Sequence, residues 1–453
     1  MQRRVLWAIC LLALIHALAY IAYLRPEWDT SWSDQAGYKR LGTVLAETGE
    51  FTRYPDYEVF VPEVIRTPGY PAFVAVIYKM FGVGNDLAVT IVQALVFAAL
   101  CVLVYAIGRR LAGPRVAIAA AVLTALFSPL PHFAALVLTE LWTTFVATAA
   151  MLITLRAVQQ QRLRDYVLAG VLLSATTLVR PAFVLLPFFL AGAMPLLTRS
   201  QRTWPALRGW AALVLAAGLT LLPWFTYNYV HLGQFTLSPA GGIGRGLWEG
   251  SWQGYWPGRV QAELTLIAER GDDIEAKARE VGQETGFDPV PMVRYVREWR
   301  EIHDLWDTPQ DPLERARARV EADQQYLSAA VANMRRDPIG HVWRRLTRGL
   351  FVLWAADVPV RYSHINALPT LVIRAIWIAQ VVLMLLAIAG AVLLWRHGRR
   401  AEAMLLTLPL VYVTGVHLPL LCEARQSLPV KPLVLALAAV AIRRPTSPET
   451  AGS

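Results

Sequence analysis

The chain has 453 residues, of which 56% are hydrophobic and only 17% charged, with 16 tryptophans and a formal net charge of +10. A soluble globule needs roughly a quarter of its residues charged, whereas apolar runs of membrane-spanning length recur here, which excludes a string of soluble domains and predicts a polytopic membrane protein. High apolar content excludes disorder, no glycine period supports a collagen-like chain, and three cysteines (Cys10, Cys101 and Cys422) are too few for a disulfide scaffold.

Apolar segments lie near residues 5–24, 87–107, 116–131, 135–155, 166–179, 182–198, 209–227, 375–395, 403–420 and 429–442. Lipid offers no water to backbone amides, so each is expected to be a helix, giving an all-α protein with about ten transmembrane helices. The first segment follows Arg3 and Arg4 and contains Ala17-Leu18-Ala19, a pattern shared with cleaved signal peptides. It runs on through Leu24 and is expected to remain as a span.

Residues 25–85 form a first large loop that opens with Trp28, Asp29, Trp32, Asp34, Gln35 and Tyr38 and continues to Arg66-Thr67-Pro68-Gly69-Tyr70-Pro71. The stretch from Tyr70 to Phe81 is apolar but too short to span and is expected to lie at the interface. Glu140, placed about one turn inside the fourth span, is costly there, roughly 2.5–3.5 kcal/mol at a helix centre, which marks it as a candidate active-site acid. Arg180, before Pro181, reads as a helix-end arginine that snorkels to the interface.

A second large outer segment, residues 229–370, begins with the glycine-rich run Ser238 to Gly250. Its spacing is not that of a dinucleotide fingerprint, but a flexible loop of this kind could bring backbone amides and Arg245 to a phosphate. Further on, Asp311 and Pro312 form an N-cap and first helical position, and Leu313, Val320, Leu327 and Met334 recur every seven residues, predicting one amphipathic helix. Pro338 to Asp357 interleaves Trp343, Leu346, Leu350, Val352 and Trp354 with Arg344, Arg345 and Arg348, the pattern of a helix lying in the bilayer interface. The last outer loop, His417 to Pro429, holds Glu423 and Arg425, which a simple reversal of direction does not need.

Short connections between spans carry 16 basic residues, from Arg3 and Arg4 through Arg109, Arg156, Arg199 and Arg399 to Arg443 and Arg444, against Asp165, Glu402 and Glu449. That side is therefore cytoplasmic, with both termini. The basic balance reports membrane orientation and gives no support for nucleic-acid binding. The expected organisation is a transmembrane core (1–228) with its first loop, an extracytoplasmic helical segment (229–370), C-terminal transmembrane helices (371–444) and a polar tail (445–453). The eight histidines show no metal-ligand spacing.

In order, a single N-terminal span, a loop with Asp34, the Arg66-Thr67-Pro68-Gly69-Tyr70-Pro71 motif, Leu138-Thr139-Glu140, Leu178-Val179-Arg180-Pro181, Pro223-Trp224 with Asn228, and Glu423-Ala424-Arg425 with Pro429 resemble the bacterial family-39 branch of the GT-C glycosyltransferases. That branch contains protein mannosyltransferases and the lipid A aminoarabinose transferase. The resemblance implies inverting transfer of a hexose or pentose from a polyprenyl-phosphate donor to a glycan, lipid or protein acceptor, on the outer face of the bacterial cytoplasmic membrane. It implies Asp34 as general base, with Glu140 supporting it or positioning a cation, and Arg66 and Arg425 at the donor phosphate. Asp29, Tyr70, Arg180 and Glu423 are supporting residues. Gln35 and Gln426 depart from the family pattern, where an acid and a tyrosine are usual, so metal dependence stays open: no cofactor is certain, and a divalent cation is one option.

The chemistry agrees with these residues independently. An attacking hydroxyl needs a positioned base, while phosphate departs as a stable anion, so one carboxylate suffices where glycoside hydrolysis needs two. The departing charge needs arginine. The rival readings are a transporter or flippase of a lipid-linked glycan, which should show internal repeats and midplane sites, and an O-antigen ligase or polymerase type enzyme.

Overall fold

The computed structural model describes residues 2–25, 33–307 and 309–443. Its helices are α1 (Gln2–Leu24), α2 (Ser33–Glu47), α3 (Gly69–Phe81), α4 (Asp86–Ala112), α5 (Pro114–Leu126), α6 (Pro129–Ala134), α7 (Thr139–Gln160), α8 (Leu163–Val179), α9 (Leu186–Leu197), α10 (Trp204–Leu232), α11 (Ile243–Trp252), α12 (Gly258–Arg270), α13 (Ile274–Thr285), α14 (Pro289–Asp307), α15 (Pro312–Arg336), α16 (Pro338–Arg344), α17 (Leu350–Ala355), α18 (Thr370–Arg396), α19 (Arg400–His417) and α20 (Lys431–Arg443). No strand occurs among the described residues.

Every apolar segment of the sequence contains a helix. Among the described residues six helices are long and apolar enough to cross a membrane: α1, α4, α7, α10, α18 and the stretch Ala424–Arg443, which ends in α20. With 13 and 17 residues, α5 and α8 reach roughly 20 and 25 Å at 1.5 Å per residue, short of a ~30 Å hydrocarbon core. The count of ten therefore rests on alternating loop charge rather than on helix length.

The fourth span starts later than its hydropathy suggests. Residues 135–138 form a buried non-helical turn, tolerated because side chains satisfy its backbone: Gln93 Nε2 donates to the carbonyls of Ala134 and Leu136, and Gln35 Oε1 accepts from Val137 N. Glu140 is consequently in the first turn of α7, where the helix dipole favours a carboxylate. The hydroxyls of Thr143, Thr144, Thr148 and Thr154 bond back to carbonyls of their own helix, so four of the five threonines that α7 buries have their donors satisfied within it.

At the centre of the bundle α20 is buried from Lys431 to Val440. It meets α18 at Gly390, where a Cβ would sit 1.9 Å from Leu437 O. Small residues at such crossings let backbones approach closely.

Helices α11–α15 form a second core around Trp248, Trp252, Trp256, Tyr295 and Tyr326. Asp311 caps α15 as the sequence predicts, accepting from Leu313 N and Glu314 N. Of the seven-residue stripe, Leu313, Val320 and Met334 pack partly buried against this core and Leu327 is exposed, while Ala316, Ala322, Tyr326 and Ala330 are among the fully buried positions. The cause is a close approach by α11, whose Gly244 leaves no room for a side chain against Asp323 O. The stretch after α15 is helical but interrupted by a π-turn at Arg345–Gly349. Ile339, Val342, Trp343 and Leu346 stay exposed, as an interfacial helix requires, while Arg345 and Trp354 turn inward, against expectation. A π-turn inserts one residue and rotates the following face.

Gly390→Val should overpack the α18–α20 crossing and lower stability by about 1–3 kcal/mol, read as a fall in the detergent-solubilised unfolding temperature.

Candidate functional site

The first turn of α2 carries Asp34, and Arg66 sits three residues before α3. Arg66 is held from three directions. Glu63 accepts from the backbone N–H of Ile65 and Arg66, at 2.8 and 3.1 Å, and is itself paired with Arg53. From the segment after α10, Ser238 Oγ donates to Val64 O and Ile65 O, and Ala240 N donates to Val64 O. That segment is in turn fixed by Trp224 Nε1, which donates to Leu237 O at 2.8 Å, and by Asn228 Nδ2, which donates to the Leu237 and Thr236 carbonyls. The Arg66 guanidinium lies 4.7 Å over the Tyr38 ring, and Tyr38 meets Tyr70 edge-on at 5.2 Å. Tyr70 itself is fully buried and donates to Gln93, so it supports the site without reaching it.

Arg66 Nη2 contacts Asp34 Oδ1 at 3.1 Å, and Arg425 Nη1 approaches Asp34 Oδ2 at 3.4 Å. Arg425 also contacts Glu423 Oε2 at 2.9 Å and Glu140 Oε1 at 3.6 Å. Arg180 does not snorkel. Its Nη2 pairs with Glu140 Oε1 at 3.2 Å and its Nη1 donates to Arg425 O, because a buried carboxylate offers more than the interface does. Five of the residues singled out in the sequence thus meet in one cluster: Asp34, Arg66, Glu140, Arg180 and Arg425, with Glu423 as a sixth beside them. The Asp34 side chain keeps 44% of its surface, whereas Glu140 keeps 1%. Of these two, Asp34 is therefore the acid a substrate can reach. Burial pushes its carboxyl up, but the Arg425 and Arg66 guanidiniums outweigh that and hold it below the usual carboxylate range.

Arg245 stands apart. Its Nε bonds Glu249 Oε1 on its own helix at 3.0 Å, and the amides of Gly244 and Arg245 donate to Asp323. The glycine-rich run thus presents those amides to a carboxylate of α15, and its tight backbone serves packing, since Gly246 O also accepts from Leu421 N. Asp29, with Trp28 and Trp32, lies outside the described residues.

Among the described residues no group of three or more His, Cys, Asp or Glu side chains could hold a metal. The cluster does not fit a divalent cation: a guanidinium sits between Asp34 and Glu140, and Gln35 is turned away to Val137 N. Gln426 completes a capping box with Glu423 and donates to Leu421 O, and Gln253 and Arg345 tie the same loop to α11 and the π-turn. Glu63 escaped the sequence reading, since nothing in its local pattern separates it from a surface charge, and Arg345, expected with the interfacial arginines, is instead buried against this loop.

Beside the cluster opens a cavity of about 420 Å³ that runs from Glu423, Ala424 and Arg425 to an apolar wall including Leu24, Phe133, Leu136, Ile373 and Trp377.

Residues 65–227 match the family model of dolichyl-phosphate-mannose-protein mannosyltransferases, a stretch that contains Arg66, Tyr70, Glu140 and Arg180. Among solved structures the chain is similar to the oligosaccharyltransferase of Archaeoglobus fulgidus in its apo form, with a TM-score of 0.53 and 13% identity over 97% of this chain and 50% of that one. The same archaeal enzyme, AglB, in complex with an inhibitory peptide and dolichol-phosphate gives a TM-score of 0.52 at 12% identity, over 96% and 50%. ArnT from Cupriavidus metallidurans bound to undecaprenyl phosphate aligns over 96% of this chain and 76% of that one at 17% identity, with a TM-score of 0.42. The chain spans about half the length of the archaeal enzyme and shares its fold over that stretch. No curated protein sequence matches.

Replacing Arg180 by Leu would leave Glu140 buried with only the longer Arg425 contact. A loss of about 3 kcal/mol in stability is expected, and Glu140→Gln in the same chain should restore part of it in a double-mutant cycle.

Proposed function

We propose that the protein is a membrane glycosyltransferase that moves a sugar, with inversion, from a polyprenyl-phosphate donor to a hydroxyl-bearing glycan, lipid or protein on the extracytoplasmic face of a bacterial cytoplasmic membrane. The single observation that carries this is an accessible carboxylate, Asp34, held between Arg66 and Arg425 next to an apolar cavity. The GT-C architecture and the mannosyltransferase match over Arg66 to Arg180 support the same reading.

The acceptor hydroxyl attacks the anomeric carbon from the side opposite the phosphate. A new C–O bond forms as the bond to the phosphate oxygen breaks, and the hydroxyl proton passes to Asp34. The leaving phosphate carries off the electron pair as an anion against Arg66 and Arg425, with Arg245 at longer range. Glu140 and Arg180 do not touch substrate in this scheme; they fix the angle of Arg425. The cavity beside Arg425 receives the first units of the carrier's apolar chain. When the phosphate takes up the two guanidiniums, Asp34 loses positive partners and gains a negative neighbour, so its proton affinity rises when it must act.

Identifying the surface glycan lost in a deletion strain supplies the donor and acceptor for a direct assay. In that assay Asp34→Asn should cut turnover by about 10²- to 10⁴-fold with carrier binding intact. Arg66→Ala should do the reverse, weakening carrier binding first, and Arg66→Lys should recover only part because it lacks the bidentate fork. Intact turnover in Asp34→Asn would overturn the assignment of the base.

The pH dependence follows from the same contacts. Because the free enzyme's Asp34 is held below the ordinary carboxylate range, kcat/KM should persist into more acid solution than an unperturbed aspartate allows. The acid limb of kcat, which reports the bound complex, should lie at higher pH. Coincident limbs would mean that the phosphate does not draw the arginines away.

A further inference from the structure

Away from Glu423 and Arg425 at its end, the cavity beside Arg425 is apolar except in one place. Asp357, on the link between α17 and α18, lines it, and so does His132 of α6. His132 is 6% exposed, and its Nδ1 has no hydrogen-bond partner. Burial lowers that imidazole to about 4, so it is neutral at ordinary pH. Behind the carboxyl lies the buried ammonium of Lys431, which gives its hydrogen bond to Trp354 O at 2.7 Å rather than to the acid.

The charged and titratable groups that act on Asp357 come from three other elements: Lys431 of α20, Glu140 of α7 and Tyr20 of α1. His132, Glu423 and Arg425 share the cavity lining with it. Burial pushes the Asp357 carboxyl up to about 6; Lys431 opposes this, and Glu140 adds to it. An apolar chain entering the cavity would strip the remaining water from this carboxyl. Desolvation penalises its charged form and leaves its neutral form nearly untouched.

We propose that Asp357 is a positioning residue of the carrier site, a carboxyl that must be neutral when the isoprenoid chain is bound, so that carrier binding takes up one proton there. This rests on the donor reading given above. Lys431 favours the charged form and Glu140 the neutral one.

The test is titration of the full-length protein in nanodiscs with undecaprenyl phosphate across pH 5.5–8, repeated in buffers of different ionisation enthalpy to count protons. Wild-type affinity should fall about tenfold per pH unit above the carboxyl's titration, the slope of one proton taken up. Asp357→Asn should remove that slope and bind more tightly than wild type at pH 7.5, while Asp357→Glu should keep it. The carrier phosphate titrates identically in all three and cancels. Filling the cavity with Ile373→Trp should abolish binding at every pH. Undiminished binding in Ile373→Trp would overturn the cavity as the chain's site, and an absence of binding by wild type would overturn the donor reading itself. If Ile373→Trp blocks binding but wild type and Asp357→Asn share one pH slope, the proton-linked role of Asp357 alone is overturned.

Discussion

Arg425 is the interaction on which the rest of the site depends. Its guanidinium reaches carboxylates from α2, α7 and its own loop, and its carbonyl receives Arg180 from the end of α8. A planar fork with five donors can satisfy several acids at fixed angles, which an ammonium cannot. Because each acid belongs to a different part of the chain, one side chain sets the distance between the first loop, the fourth span and the last. The loop bearing Arg425 is correspondingly rigid: Gln253, Arg345 and Gln426 hold its carbonyls and amides, and Gly250 of α11 packs against Leu420 too closely to admit a side chain.

The same logic governs how much of the molecule is legible before it folds. Helices and their rough order follow from hydropathy, because lipid leaves the backbone no alternative. Asp34, Arg66, Glu140 and Arg425 stand out because charge near a membrane is expensive wherever it lacks a purpose. What pattern does not reveal is direction. Arg180 looks like any helix-end arginine until Glu140 is found beside it. The amides of the glycine-rich run look available until Asp323, from a helix some eighty residues away, is seen to occupy them. In α15 the regular stripe marks only the edge of the packed face: Leu313, Val320 and Met334 are partly buried, whereas the fully buried positions include alanines and Tyr326 beside the close approach of Gly244. Asp357 ends an expected interfacial helix in the sequence, and only the fold sets it at a cavity wall facing Lys431.

Opposite the cluster, the far ends of the spans are tied by a second polar network. Arg399 bonds the carbonyls of Leu111 and Arg110 and the carboxylate of Glu402, while Arg156 pairs with Asp165. Two belts of fixed charge, one at each end, leave the spans between them to pack by small residues and threonines. This division explains why the reactive groups gather at one level rather than along the spans.

The cluster contains three arginines and three carboxylates, Arg66, Arg180 and Arg425 against Asp34, Glu140 and Glu423, so its formal charges cancel. Gln35, neutral where an acid would tip that balance, keeps it so. A neutral site casts little field beyond its own walls and cannot steer an anion through water. A ligand dissolved in the bilayer would instead arrive by lateral diffusion, at a rate set by its abundance in the leaflet and largely indifferent to ionic strength, and it would meet the arginines' charge only after contact.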